Sequence, residues 1–201
     1  MIKFYKPNPK VTGSACSFTY SAKDECIYVN FIKQSGWNDS TKRGSFSGNH
    51  QDPLKSCSLK LNQTEMGEVI SAIKRNSEFM GYHDSPNQVT RIKFCPYFRA
   101  DRNNSGENTQ RGFSFSVSKE SRNDSASKAS FIIGFTFAES VVIEAFFSYV
   151  LVKTFEAAAK QQESWQKSTK QKSPQQEAPD NQAPPPKKPS PEESILDDCE
   201  W

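Results

Sequence analysis

Cysteine pairing is the first thing missing from this chain. Its five cysteines (Cys16, Cys26, Cys57, Cys95 and Cys199) are an odd number with no CxxC pair, so no disulfide framework is implied. Four of them lie in apolar, strand-like runs, where a free cysteine behaves as a small buried hydrophobe. Only His50 and His83 are available as imidazole ligands, which argues against a zinc site, and no cofactor is expected. A Gly-rich phosphate loop of the P-loop type is absent. His83 and Asp84 are neighbours, but Asp84 reads as the start of an Asp-Ser-Pro-Asn turn rather than half of a dyad. Without a nucleophile-base pair, a carboxylate pair or a metal set, catalysis is not expected. No apolar stretch reaches the roughly 18 residues that span a bilayer. Met1-Ile-Lys-Phe-Tyr-Lys-Pro7 also lacks the apolar h-region of a secretory signal. A soluble intracellular protein with no membrane partner is the expectation.

What the chain has in excess lies at its end. Residues 160–190 are rich in Pro, Gln and Lys with almost no aliphatic side chains, a composition that cannot offset its ordering entropy, so a disordered linker is expected there. The tip, residues 191–201, holds Glu192, Glu193, Asp197, Asp198 and Glu200, no base, and the apolar Ile195, Leu196 and Trp201. The whole chain carries +3, so the residues before this five-carboxylate tip carry +8. A basic body with an acidic, aromatic-ended tail suits a protein that holds a polyanion with its body and recruits proteins with its tail. The plainer alternative is a solvated terminus without a role.

The body, residues 1–159 with its folded part from about residue 10, reads as strands, a helix, strands and a second helix. Ala15–Tyr20 and Cys26–Gln34 are rich in aromatic and β-branched residues, and Arg43–Gly48 and Ser56–Leu61 give a third and fourth strand. Asn62 then caps a helix, with Glu65 at capping-box spacing and Met66, Val69, Ile70 and Ile73 on one stripe. The second half repeats the order: Ser77–Tyr82, Gln88–Tyr97, Gly112–Lys119 and Ala129–Phe135 as strands, then Thr136 and Glu139 at the same spacing. Val142, Ile143, Phe146, Phe147, Val150 and Leu151 carry this second helix to about Ala159. Phe113, Phe115 and Val117 alternate with Ser114, Ser116 and Ser118, and Ile92 and Phe94 alternate with Arg91 and Lys93. An α+β fold follows, of two four-stranded antiparallel sheets each followed by a helix, with helices over the packed face and a free basic face.

Three stretches carry a likeness to a known family. Lys10-Val-Thr-Gly-Ser-Ala-Cys-Ser-Phe18 resembles the first-strand Lys-Gly-Lys-Ala-type motif of the Whirly proteins, with Ser14 where that motif has its second lysine. Leu59-Lys-Leu-Asn-Gln-Thr-Glu-Met-Gly-Glu-Val-Ile70 is similar to the family's strand running into its first helix. Glu78-Phe-Met-Gly-Tyr-His-Asp84 resembles the segment after that helix. The resemblance implies the Whirly fold, shared with positive-cofactor-four-type single-stranded-DNA-binding proteins. It also implies a homodimer or homotetramer packed through helices, with nucleic acid across strand edges and sheet faces. Bacteriophage proteins of this fold carry acidic tails, so a replication, recombination or repair role in a bacterial or phage-infected cytoplasm is the corresponding expectation.

Single-strand binding needs cations for phosphates and flat side chains for bases. The residues that interleave the two are Lys33 with Trp37, Lys42 and Arg43 with Phe46, and Arg91 and Lys93 with Tyr97 and Arg99. Lys10 and Lys60 complete the candidates. For each cation the alternative is an ordinary solvated charge. Trp37 lies in a polar, Gly-flanked segment with little core to enter. Phe113, Phe115, Phe131 and Phe135 read as core, while Tyr20, Tyr28 and Tyr82 suit either core or interface. The polar insert Gly36–Pro53 and the loop Ala100–Gln110 are expected to be mobile. Single-stranded RNA, or a transcription-associated interaction module, remains an alternative to single-stranded DNA.

Overall fold

The structure, a computed structural model, describes residues 1–100, 108–123 and 128–171. A compact unit spans Met1–Glu163, and a second unit begins at Ser164. Ten strands and two α-helices lie among the described residues. The first sheet has the antiparallel order β1-β2-β3-β6, from β1 (Ile2–Lys6), β2 (Ser14–Ser21), β3 (Cys26–Lys33) and β6 (Ser56–Leu61). Between β3 and β6 the chain makes a separate two-stranded ribbon, β4 (Gly36–Asn38) with β5 (Arg43–Ser45), and one 3-10 turn at Asn49–Gln51. Helix α1 (Gln63–Arg75) follows. The second sheet, of order β10-β9-β8-β7, uses β7 (Phe79–Asp84), β8 (Gln88–Ala100), β9 (Asn108–Ser121) and β10 (Lys128–Thr136) before α2 (Phe137–Gln171).

Both helices start where their capping residues dictate. Asn62 Oδ1 accepts the Glu65 backbone N–H at 2.9 Å, and Glu65 Oε2 accepts that of Asn62 at 2.9 Å. Thr136 and Glu139 make the same reciprocal pair at 3.2 and 2.8 Å. Each box satisfies two N–H groups that a helix start would leave orphaned. Glu65 also ties the next strand to the helix, because its Oε1 lies 2.5 Å from His83 Nε2 on β7.

The core forms between the two sheets as well as beneath the helices. Phe18 of β2 stacks on Phe115 of β9 with centroids 6.1 Å apart, and Phe31 of β3 meets Phe115 edge-on at 5.3 Å. Phe147 of α2 packs edge-on against Phe18 at 5.3 Å. Helix residues do cover the packed faces, Met66, Val69, Ile143 and Phe147 among them, and the rings add a direct contact between the two sheets that the sequence reading did not include. Phe113, Phe115, Phe131 and Phe135 are buried, as their alternation required. Phe18→Ala would empty the meeting point of four rings. It should cost about 3–5 kcal/mol, a large part of an ordinary domain's stability.

Three expectations change. The first sheet takes Ile2–Lys6 in place of Arg43–Gly48, which was expected as its third strand, so the fold begins before residue 10. The insert 36–53 is anchored rather than loose. The buried Gln34 accepts from Asn8 N (2.9 Å) and Gly13 N (3.2 Å) and donates to Asn8 O (3.0 Å) and Gly36 O (2.8 Å). Asn49 Nδ2 adds a bond to the Lys33 carbonyl at 2.9 Å. Finally, α2 continues past Ala159 to Gln171, so residues 160–171 are helical where a disordered linker was expected. Ala157 to Ala159 and the Lys, Gln and Glu that follow are strong helix formers, and neither Gly nor Pro interrupts them before Pro174.

Candidate nucleic-acid interface

The strand pleat sends alternate residues of the second sheet away from the core. Along the middle of that outer face lie Ser114, Ser116 and Ser118 of β9 and Ser130 and Gly134 of β10, a floor of small side chains. Larger groups rise at both ends. At one end Met80 and Tyr82 of β7 stand beside Arg91 and Lys93 of β8, around a recess of about 410 Å³. At the other end Tyr97, Arg99, Arg111, Ile132 and Lys6 surround a recess of about 780 Å³. Among the described residues lining the two recesses there is no Asp or Glu. Tyr82 and Tyr97 are 56% and 37% exposed, a costly display of aromatic surface unless something covers it.

A β-bulge supplies part of the second recess. The β8–β9 register shifts between Tyr97 and Phe98, with Tyr97 opposite Gly112 and Phe98 opposite Gln110. Arg111 is the extra residue, and it lines the same recess as Arg99. Gly112 has φ +139°, and a Cβ there would sit 2.0 Å from the Phe135 carbonyl oxygen, so only glycine fits.

The cations of this face are not equally available. Lys93 pairs with Glu78 at 2.8 Å, and that carboxylate holds its ammonium above the usual lysine range. Arg91 lies 3.2 Å from Glu120 and 6.0 Å from the Tyr82 ring. Lys6 is tied to Glu139 at the start of α2. Burial alone would raise the Glu139 carboxyl, but the Lys6 ammonium and the Thr136 bonds hold it below its ordinary 4.5.

The sequence candidates fall into groups. Arg91, Lys93, Tyr97 and Arg99 share the outer face of the second sheet. Phe46 stands over the outer face of the first sheet, edge-on to Tyr5 at 5.8 Å, and Lys60 is exposed on the same sheet. Trp37, Lys42 and Arg43 belong to the ribbon and its turn, where Trp37 Nε1 donates to Asp39 at 3.2 Å and Lys42 lies 3.7 Å from that carboxylate. Lys33 is half-buried at the end of β3, its ammonium 5.0 Å from the Phe131 centroid. Lys10 sits in the exposed turn before β2. The tyrosines left open also separate: Tyr82 is exposed on the outer face of the second sheet, Tyr28 donates to Asp24 at 3.1 Å, and the Tyr20 hydroxyl is buried without a partner among the described residues. The acidic tip lies outside the described residues, as does most of the loop 100–110. Lys6, Arg111 and Ile132 line the same recess as Tyr97 and Arg99 but were not among the sequence candidates. A glycine inside a strand pattern, Gly112, was the available sign of the bulge that presents Arg111.

No family model matches the chain, and no curated protein does. Among solved structures it is similar to WHY1 from Arabidopsis thaliana, with a TM-score of 0.53 and 17% identity over 81% of this chain and 90% of that one. The fold is the Whirly fold. WHY3 from Arabidopsis thaliana matches with a TM-score of 0.51 and 15% identity, over 80% of this chain and 91% of that one. The plant transcriptional regulator PBF-2 matches at 0.51 and 15%, over 87% and 96%. With so little identity, the likeness lies in the path of the backbone. The side chains on this Whirly sheet therefore have to be read on their own chemistry.

Proposed function

We propose that this chain binds single-stranded DNA without sequence preference, laying the strand across the outer face of its second sheet. One observation carries the reading: exposed tyrosines and basic side chains share a small-residue platform whose recesses have no acidic lining among the described residues, on a Whirly fold. Tyr82 and Tyr97 would stack on bases, an interaction worth roughly 1–3 kcal/mol per base and indifferent to which base it is. Arg99, Arg111, Arg91 and Lys93 would meet phosphates. Binding rather than catalysis is favoured because burial pushes the Cys16 and Cys57 thiols up, the reverse of an activated nucleophile.

Two further parts belong to the same reading. Val141, Val142, Tyr149, Val152 and Phe155 are exposed on α2, and a second copy of the chain would bury them in a homodimer or homotetramer. The acidic tip would recruit replication, recombination or repair proteins through Ile195, Leu196 and Trp201, with its carboxylates competing for the basic platform. Among the described residues no helix is long and apolar enough to cross a membrane.

The test is a fluorescence-anisotropy titration of labelled oligo-dT with the wild type and with Tyr82→Ala/Tyr97→Ala. The variant should lose about 5- to 150-fold per abandoned stack. Equal affinities would remove the second sheet from the account.

A further inference from the structure

The outer face of the first sheet repeats the design with different parts. Its floor is largely small or polar, with Ala15 and Ser17 on β2, Asn30 on β3, and Ser56 and Ser58 on β6, and Ile32 of β3 is its larger apolar side chain. One wall is the edge strand β1, which presents Lys3 and Tyr5. The other is the chain between β5 and β6, which contributes Phe46, His50 and Pro53. The concavity so formed measures about 860 Å³.

Three features set this groove apart from an ordinary solvated sheet face. The insert wall is fixed, since Asn49 Nδ2 holds the Lys33 carbonyl and Ser56 Oγ donates to the His50 carbonyl at 2.8 Å. An aromatic pair stands over the floor, with Tyr5 and Phe46 edge-on at 5.8 Å, yet Tyr5 stays 57% exposed. The charge is of one sign. Lys3 and Lys119 line the groove, Lys119 Nζ is held at its edge by the Ser58 carbonyl at 2.9 Å, and among the described lining residues none is acidic. The chain holds 23 Asp and Glu, so a third recess without any of them marks an anion-accepting surface.

We infer that this groove is a second single-strand site, so that each chain holds two strand segments at once. The inference rests on the reading of the second sheet as a strand platform, and it assigns the first sheet and its insert a separate strand. The two inner faces pack on each other, so the outer faces point away from one another. Stacked sheets lie about 10 Å apart. A short strand on one platform therefore cannot reach the other without rounding the domain. Tyr5 and Phe46 supply the stacking surface, and Lys3 and Lys119 meet the phosphates.

Native mass spectrometry with an oligo-dT of about eight nucleotides, in the range one small binding module covers, counts strands per chain whatever the oligomer. The wild type should carry two. Tyr5→Ala/Phe46→Ala should carry one, its lost site weakened about 5- to 150-fold per stack, and Tyr82→Ala/Tyr97→Ala should carry one on the other sheet. Lys3→Glu, which leaves the aromatic pair in place, should also lose one strand. One strand per wild-type chain, untouched by either first-sheet variant and lost in Tyr82→Ala/Tyr97→Ala, overturns the second site and leaves the proposed function standing. No strand bound at all would fail both.

Discussion

Arg99→Ala/Arg111→Ala tests the electrostatic half of the platform quantitatively. Both guanidiniums line the recess that the β9 bulge opens beside Tyr97. On single strands each neutralised phosphate contributes about 0.7 to the slope of log K against log salt. Losing two contacts should flatten that slope by about 1.4. Between 50 and 200 mM salt, a fourfold change, the variant should then lose about sevenfold less affinity than the wild type. The assay is an anisotropy titration of labelled oligo-dT at four or more salt concentrations, so that the slope is fitted rather than inferred. Lys23→Ala is the control, because Lys23 sits in the exposed turn between β2 and β3 and lines neither recess of the second sheet. Superimposable slopes for the double variant and the wild type would refute the placement of the strand.

Glu78→Gln should release Lys93 from its 2.8 Å pair, tightening oligo-dT binding at low salt and steepening the salt slope by up to about 0.7, as the same titration would read. Gly44→Ala would place a Cβ 2.4 Å from Pro7 Cβ and 3.0 Å from Gln34 Nε2. Overpacking of about 1–3 kcal/mol should lower Tm by roughly 2–12 °C, and an unchanged melt would deny that the insert is anchored. The Glu139 carboxyl titrates below its ordinary 4.5 in the folded chain, so its contribution is present above that value and lost as pH falls through the depressed one. Urea melts across the acid range should show wild type and Glu139→Gln converging there, and parallel curves would refute the coupling to Lys6.

Local signals in the sequence were the readable ones. Asn62 with Glu65, and Thr136 with Glu139, announced both helix starts because capping is settled within four residues. The alternation of Phe113, Phe115 and Val117 with serines gave the two faces of β9 because the pleat has period two. What needed distant partners stayed hidden. Ile2–Lys6 is short, carries two lysines and is closed by Pro7, so nothing local showed that it pairs with β2. Arg43–Ser45 has strand-like residues, but Gly44 meets Pro7 and Gln34, and that contact draws it into a ribbon outside the sheet. The polar run after Ala159 reads as linker by composition, while its helix propensity decides its conformation through Gln171. In the interface the residue types were legible but their availability was not. Lys93 and Arg91 read as free cations until cross-strand geometry set Glu78 and Glu120 beside them. The two platforms emerged only once the sheets had fixed which faces turn outward.

The most direct test is competition among labelled oligo-dT, matched RNA and duplex DNA for the full chain at two salt concentrations. Tight, salt-sensitive binding to oligo-dT and much weaker binding to duplex is the result predicted by exposed stacking surfaces beside guanidinium and ammonium groups, with the RNA arm reading whether the 2′-hydroxyl matters. Duplex binding equal to or tighter than oligo-dT would contradict it, because paired bases offer Tyr82 and Tyr97 no open face.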